Sequence, residues 1–193
     1  MAIDRKEQIF STARSMFSER GYQATTVRDI ARELNMQAGS LYAHIESKED
    51  VLWQIVDQAA GQFLAAIEPI VAGEGSSVEK LRAMVRAHVG VVAGNGGNAA
   101  IFLHEWKFLS EARRESVAAR RNRYEGFYRR VIEEGVSSGE FAPTDPKMAA
   151  LMVLSIMNWM PQWYNAGGPL SAQEIAGRFS ELILRGLMAE TGF

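Results

Sequence analysis

Residues 26–45 read TVRDIARELNMQAGSLYAHI, and this stretch decides the fold. Thr26 supplies a hydroxyl cap and Asp29, three residues on, a carboxylate, which marks the start of a helix over 27–34. Asn35-Met36 make a short turn, since asparagine tolerates the left-handed region. A second short helix follows over 38–45. Ile30, Ala31 and Leu34 form one apolar stripe; Leu41 and Ile45, four residues apart, form the matching one. Two short helices joined in this way make a helix-turn-helix, whose second helix enters a DNA major groove. Its outer face carries small and polar groups: Gln37, Ala38, Gly39, Ser40, Tyr42, Ala43 and His44. Gly39 inside so short a helix costs about 1 kcal/mol relative to alanine. Either close approach of the backbone to bases or close packing against helix 27–34 explains that cost.

Outward from this stretch the period stays helical. Ile9, Phe10, Ala13, Met16 and Phe17 fall at spacings of one, three and four, one face of a helix that Gly21 ends. Hydroxyl-to-carboxylate signals recur at Ser47/Asp50, Ser76/Glu79 and Ser171/Glu174, and Asp145-Pro146 sets a cap before a proline at the first helical position. No stretch alternates over strand length. The reading is all-α, with about nine helices at 5–20, 27–34, 38–45, 48–68, 78–93, 99–108, 111–137, 146–163 and 172–188. The first three are short and end near residue 46, while the later ones are longer and more apolar. That asymmetry suggests a small N-terminal module over 1–47 on a larger helical body over 48–193, with the 48–68 helix as connection.

Composition narrows the function. The 193 residues suit one large domain, or a small module on a larger one, and 47% apolar content is ample for a core. There are no cysteines, which excludes a disulfide scaffold, a cysteine nucleophile and cysteine-ligated metal. The opening residues lack the apolar core of a signal peptide, and the longest apolar run, Met148 to Met160, is broken by Ser155 and Asn158. A cytoplasmic protein with no membrane contact is expected. Net charge is −2, and residues 1–50 hold seven basic against eight acidic side chains, so charge alone gives no nucleic-acid footprint. His44, His88 and His104 lack ligand spacing, so no metal and no cofactor are expected. The one enzyme-like signal is Gly94-x-Gly96-x-x-Ala99 after a β-branched run, a dinucleotide-binding turn. It needs a preceding strand, yet helical spacing continues back through Leu81, Met84, Val85 and His88. A non-enzyme is expected. A helical interaction module with a degenerate helix-turn-helix would dimerise without sequence-specific DNA binding.

Gly21-Tyr-Gln-Ala-Thr-Thr-Val-Arg-Asp-Ile-Ala31 and Gly39-Ser-Leu-Tyr-Ala-His-Ile-Glu-Ser-Lys-Glu-Asp-Val-Leu52 together resemble the DNA-binding domain of TetR-family transcriptional regulators. The resemblance covers about the first quarter of the chain. It implies a homodimeric one-component repressor that binds a palindromic double-stranded operator and is released by a small-molecule effector. It also implies roles. Thr26 and the amides of its helix would hold a phosphate, and Arg28 would reach a base edge or phosphate. Gln37, Ala38 and Ser40 would face the groove; Tyr42, His44 and Lys48 would contact phosphates. Tyr42 would otherwise be core, and His44 a solvated surface residue. Two departures matter: Asn35 replaces the family's common turn glycine, and Gln37-Ala38 replaces a frequent Ser-Lys pair, so the operator sequence is this chain's own.

In the body, Trp159 and Trp163 share a helix face across Pro161, which should kink or break that helix, and Phe102 and Trp106 lead into a charged helix. Helix-lined clefts are where bundles hold apolar ligands. This half is similar to TetR-family repressors of fatty-acid, aromatic or steroid-ring catabolism, in Glu105-Trp106, Ala119–Tyr124, Gly139-Glu-Phe141, Asn158-Trp159 and Leu184-Arg-Gly186-Leu187. That resemblance implies a CoA-thioester effector. Its acyl group would sit among Phe102, Trp106, Met157, Trp159, Trp163 and Tyr164, with the polyanionic CoA near Arg120, Arg121 or Arg123, beside Tyr124. The competing reading makes these arginines a solvated face alternating with Glu111 and Glu115, and the effector a free hydrophobic molecule, as in efflux regulators. Broad apolar faces on helices 146–163 and 172–188 suggest that part of this surface packs against a second subunit, which the family resemblance implies is a two-fold four-helix contact.

Overall fold

The protein, seen in a computed structural model, is described over residues 4–94 and 97–188. Among these residues there are nine α-helices: α1 (Arg5–Arg20), α2 (Val27–Glu33), α3 (Ala38–Leu41), α4 (Lys48–Ala72), α5 (Ser77–Gly94), α6 (Asn98–His104), α7 (Glu111–Ser138), α8 (Pro146–Asn158) and α9 (Ala172–Leu187). Short 3-10 turns follow α6 at Trp106–Phe108 and α8 at Met160–Gln162. The only extended pairing among them is an isolated bridge between Phe141 and Met188. Among the described residues no helix is long and apolar enough to cross a membrane.

Boundaries move where local chemistry overrides periodicity. α3 closes after one turn, and residues 42–44 continue as turns, with His44 N and Ile45 N both donating to Leu41 O. α4 runs past Pro69 to Ala72, because a proline in the last turn removes only one donor and Gly73 N closes on Pro69 O at 3.0 Å. The segment expected as helix 99–108 is α6, starting one residue earlier, followed by the first 3-10 turn, and the segment expected as 146–163 is α8 followed by the second; Pro161 makes the second break. Asn95 and Gly96, in the middle of the dinucleotide-like turn, lie outside the described residues. The run before them is helix α5, not a strand, so the context that fingerprint requires is lacking.

By packing, the chain forms two compact units, 1–60 with 95–118, and 61–94 with 119–193. α4 and α7 each contribute residues to both. The module expected over 1–47 lies wholly within the first. There Ile9, Phe10, Ala13, Met16 and Phe17 bury the inner face of α1, and Ile30, Ala31, Leu41 and Ile45 bury those of α2 and α3. Glycine 97 lies close to α1, where a Cβ would sit 2.9 Å from the Ser18 hydroxyl.

In the second unit α5 packs against α8, the second 3-10 turn and α9. Glu140 caps α5, accepting from Ser77 N at 3.3 Å and Val78 N at 3.2 Å. Phe141 is buried over Gly135 of α7, and Ala142 N donates to Leu187 O at 2.8 Å, which fixes the end of α9.

Candidate DNA interface and effector site

The helix-turn-helix is built by local chemistry. Thr26 and Asp29 form a reciprocal capping box: Asp29 N donates to the Thr26 hydroxyl at 3.1 Å, and Thr26 N and Oγ1 donate to Asp29 Oδ2 at 3.0 and 2.6 Å. The Thr26 hydroxyl is therefore spent on its own helix, and a phosphate there would meet the free amides rather than this oxygen. Asn35 takes φ 53°, the left-handed conformation that asparagine tolerates in this turn. Gln37 precedes α3 without using its side chain as a cap. Leu41 and Ile45 are buried, while Arg28, Gln37, Ser40, Tyr42 and His44 are exposed and Ala38 half-buried. Tyr42 stands 56% exposed, so the solvated position rather than the core one holds. A Cβ on Gly39 would touch nothing within 4 Å. Packing against α2 therefore does not explain this glycine.

Lys48 behaves differently from a simple phosphate contact. Its ammonium donates to Tyr22 O at 2.9 Å and Thr25 O at 2.8 Å, and lies 4.0 Å from the Tyr22 ring centroid. Burial lowers its pKa. Of three ammonium donors one remains for a phosphate.

Sequence reading missed the ties that hold this module to α6 and α7 within the first unit. Tyr22 N donates to Glu105 Oε2 at 2.9 Å, and the Tyr22 ring stacks on Phe108 at 5.9 Å. Arg113, in the first turn of α7, bonds Glu49 at 3.0 Å and also Asp50, both in the first turn of α4. Ser110 N reaches Glu49 at 3.0 Å. Backbone and hydroxyl bonds from Ser110, then Arg113, hold Glu49 below the ordinary carboxylate range; Ser47, then Arg113, do the same for Asp50. These partners stand 61 to 83 residues apart in the hydrogen bonds, so no local pattern announces them.

The expected effector residues divide. Phe102 (buried) and Trp106 (half-buried) belong to the first unit. In the second, Tyr124 and Met157 are buried, Arg120 and Tyr164 half-buried, and Arg123 exposed and paired with Glu68 at 2.9 Å. Trp159 and Trp163 are 61% and 48% exposed. Trp159 continues an exposed apolar line down α8 through Met148, Leu151, Met152 and Ile156, while Trp163 meets Phe179 of α9 edge-on at 6.1 Å.

The interior of the second unit holds a polar chain. His88 Nδ1 lies 3.0 Å from the Tyr124 hydroxyl, the Tyr124 and Tyr128 rings lie 5.5 Å apart between centroids, and Tyr128 donates to Met84 O at 3.2 Å. Phe63 packs on the His88 ring at 4.9 Å. Burial raises both phenol pKa values and pushes the imidazole down to about 3, so His88 is neutral at pH 7. An unfolded chain would protonate this histidine near 6.5, whereas the folded one does not. The His88 contribution is therefore whole above pH 6.5 and is lost as pH falls toward 3, at up to about 1.4 kcal/mol per pH unit. In urea titrations from pH 7 to pH 4, His88→Phe is expected to lose less stability per pH unit than wild type; parallel profiles would contradict this. No group of three or more His, Asp or Glu among the described residues is placed to hold a metal.

Comparison with known proteins agrees with this anatomy. The family profile for bacterial regulatory proteins of the tetR family matches residues 9–55, and that for the tetracyclin repressor-like C-terminal domain matches residues 74–187. The HTH-type transcriptional repressor KstR2 of Mycolicibacterium smegmatis is 28% identical over 190 residues, covering 97% of this chain and 93% of its own. The TetR family regulator PfmR from Thermus thermophilus superposes with a TM-score of 0.84 at 35% identity, over 96% of this chain and 100% of its own. AibR, solved with isovaleryl coenzyme A and operator DNA, gives 0.83 at 28% identity, over 93% and 97%.

Proposed function

The chain belongs to the TetR family of bacterial regulatory proteins, and from that premise we propose that it is a homodimeric transcriptional repressor of a palindromic operator, released by a CoA thioester. The observation that carries DNA binding is the split of the α3 region: Leu41 and Ile45 face the core, while Gln37, Gly39, Ser40, Tyr42 and His44 are left to solvent. Gln37 suits a bidentate contact with adenine, and Ser40, Tyr42 and His44 suit groove and phosphate contacts. Lys48 and Arg28 add positive charge beside them.

A second copy fits the exposed apolar line of α8, since Met148, Leu151, Met152, Ile156 and Trp159 recur at helical spacing on one side. A two-fold contact there would set the recognition helices about 34–36 Å apart, one turn of DNA. The CoA-thioester reading is supported by AibR, a relative solved with such a ligand, and by Arg120 and Arg123 on α7, suited to a polyphosphate.

Release requires that the effector prefer the DNA-incompetent state, and DNA must weaken the effector by the same factor. A hundredfold loss of operator affinity asks for about 2.7 kcal/mol of coupling. α4 is the covalent route, beginning beside the recognition helix and running into the second unit. The test is release of operator by acyl-CoAs set against free CoA and the matching free acids. If a free acid acts and its thioester does not, the sensor is one of unesterified hydrophobic molecules.

A further inference from the structure

We propose that the connection between α6 and α7, residues 105–113, is a two-point latch that couples the effector signal to the recognition module, with Glu105 and Arg113 as its positioning residues. The inference rests on the reading of this chain as an effector-released DNA-binding protein, and adds to the covalent route through α4 a second, non-covalent one within the first unit.

One end of the latch holds the loop that leads into α2. Gly21 ends α1 at φ 84°, and the next amide, Tyr22 N, donates to Glu105 Oε2 at 2.9 Å, a charge-assisted bond. The Tyr22 ring stacks on Phe108 at 5.9 Å between centroids and meets Phe17 of α1 edge-on at 5.2 Å. Thr25 is buried, and its hydroxyl donates to Gly21 O at 3.0 Å, which closes the loop on itself. The following residue, Thr26, is the cap of α2. A displacement of Glu105 is thus delivered to the start of α2 through a loop whose own bonds leave it little freedom to absorb the movement.

The other end holds α4. Arg113 spreads its guanidinium over Glu49 and Asp50, and Ser110 N adds a bond to Glu49 at 3.0 Å. Asp50 also serves its own helix: Ser47 Oγ donates to it at 2.6 Å, and Asp50 N donates back to Ser47 Oγ at 3.0 Å. A cation in the first turn of a helix opposes the helix dipole, so α7 itself disfavours Arg113, and only the α4 carboxylates account for its place. Lys48, beside Glu49, ties α4 back to Tyr22 O and Thr25 O at 2.9 and 2.8 Å. The contacts therefore close a ring, from Glu105 to Tyr22, through the first turn of α4 to Arg113, and back along the connection. Trp106, one of the residues expected to meet the acyl group, directly follows Glu105 and opens the 3-10 turn inside that ring. An effector that moves Trp106 pulls on both attachments, and by reciprocity an operator that fixes α2 and α3 acts back on Trp106.

The test uses full-length protein labelled with 5-fluorotryptophan, the Trp106 signal being assigned with Trp106→Phe and the Trp159 and Trp163 signals serving as controls. The operator is a duplex selected by the wild type from a random pool. Saturating operator is expected to shift the Trp106 fluorine signal. Glu105→Ala should bind the same operator within about tenfold of wild type yet lose that shift. Glu105→Gln keeps an oxygen acceptor for Tyr22 N and should restore it. A merely structural role would lower stability without separating DNA binding from the Trp106 response. Arg113→Gln removes the fork at the other end and should reduce the shift at least about twofold, which carries the test where Glu105→Ala does not fold. Operator binding that leaves Trp106 unmoved, or a full response in both Glu105→Ala and Arg113→Gln, overturns the inference. Octanoyl-CoA and benzoyl-CoA separate it from the effector reading. If either releases operator equally well from wild type and Glu105→Ala, the latch is overturned and the thioester reading stands. If operator moves Trp106 through Glu105 while neither thioester releases it, the latch stands and the thioester reading fails for these acyl classes.

Discussion

A Gly39→Leu protein is expected to melt no lower than wild type and to lose at least about tenfold in operator affinity at fixed salt, the scale of one spoiled base contact. Gly39 has an ordinary φ, lies exposed in α3, and has open space where a Cβ would go. Leucine therefore fits the free protein and recovers about 1 kcal/mol of helix propensity. On DNA the same side chain would stand between Gln37 and Ser40, where the backbone must approach the base edges. Stability and function thus move in opposite directions, which a packing role for Gly39 cannot produce. The measurement pairs a thermal melt with a binding isotherm on an operator selected by the wild type from a random duplex pool. Unchanged affinity would remove α3 from the groove.

Gly135→Ala is expected to have the largest effect on stability. A Cβ at this position of α7 would overlap the Phe141 ring and stand 2.9 Å from Ser77 Cβ. Phe141 is 1% exposed, and its neighbour Glu140 caps the first amides of α5, so the ring cannot yield without disturbing that cap. Overpacking of this kind costs about 1–3 kcal/mol, more than the helix propensity of roughly 1 kcal/mol that alanine restores. At about 2–4 °C per kcal/mol for a chain of this size, the melting temperature should fall by several degrees. Gly126→Ala, also in α7 but with nothing within 4 Å of its Cβ, should move it upward. Equal shifts in the two variants would contradict the packing argument.

These two glycines show what could be read in advance. Gly39 lies in a short, local motif whose caps, turn residue and apolar stripes are all within twenty residues, and its setting was legible. So was the buried face of α1, because Ile9, Phe10, Ala13, Met16 and Phe17 repeat at helical spacing. Gly135 gave no sign, since its partners Phe141 and Ser77 meet it only through the tertiary fold. The same holds for Arg113, whose carboxylate partners are 64 and 63 residues away, and for His88, 36 residues from Tyr124. The Gly139-Glu140-Phe141 stretch carries part of the family likeness, and its structural role is a cap for α5 and a plug over α7. Pro161 ended α8 as expected, whereas Pro69 falls in the final turn of α4, where a missing donor costs little.

The most direct test of the central claim is a titration of the operator-bound protein with acyl-CoAs of medium-chain, aromatic and ring-bearing classes, against free CoA and the matching acids, followed by DNA release and thermal shift on the same samples. One acyl-CoA class should both stabilise the protein and lower operator affinity by about a hundredfold, with operator DNA weakening that acyl-CoA by the same factor. Stabilisation by free acids alone, or an acyl-CoA that binds equally well with and without operator, would contradict the account.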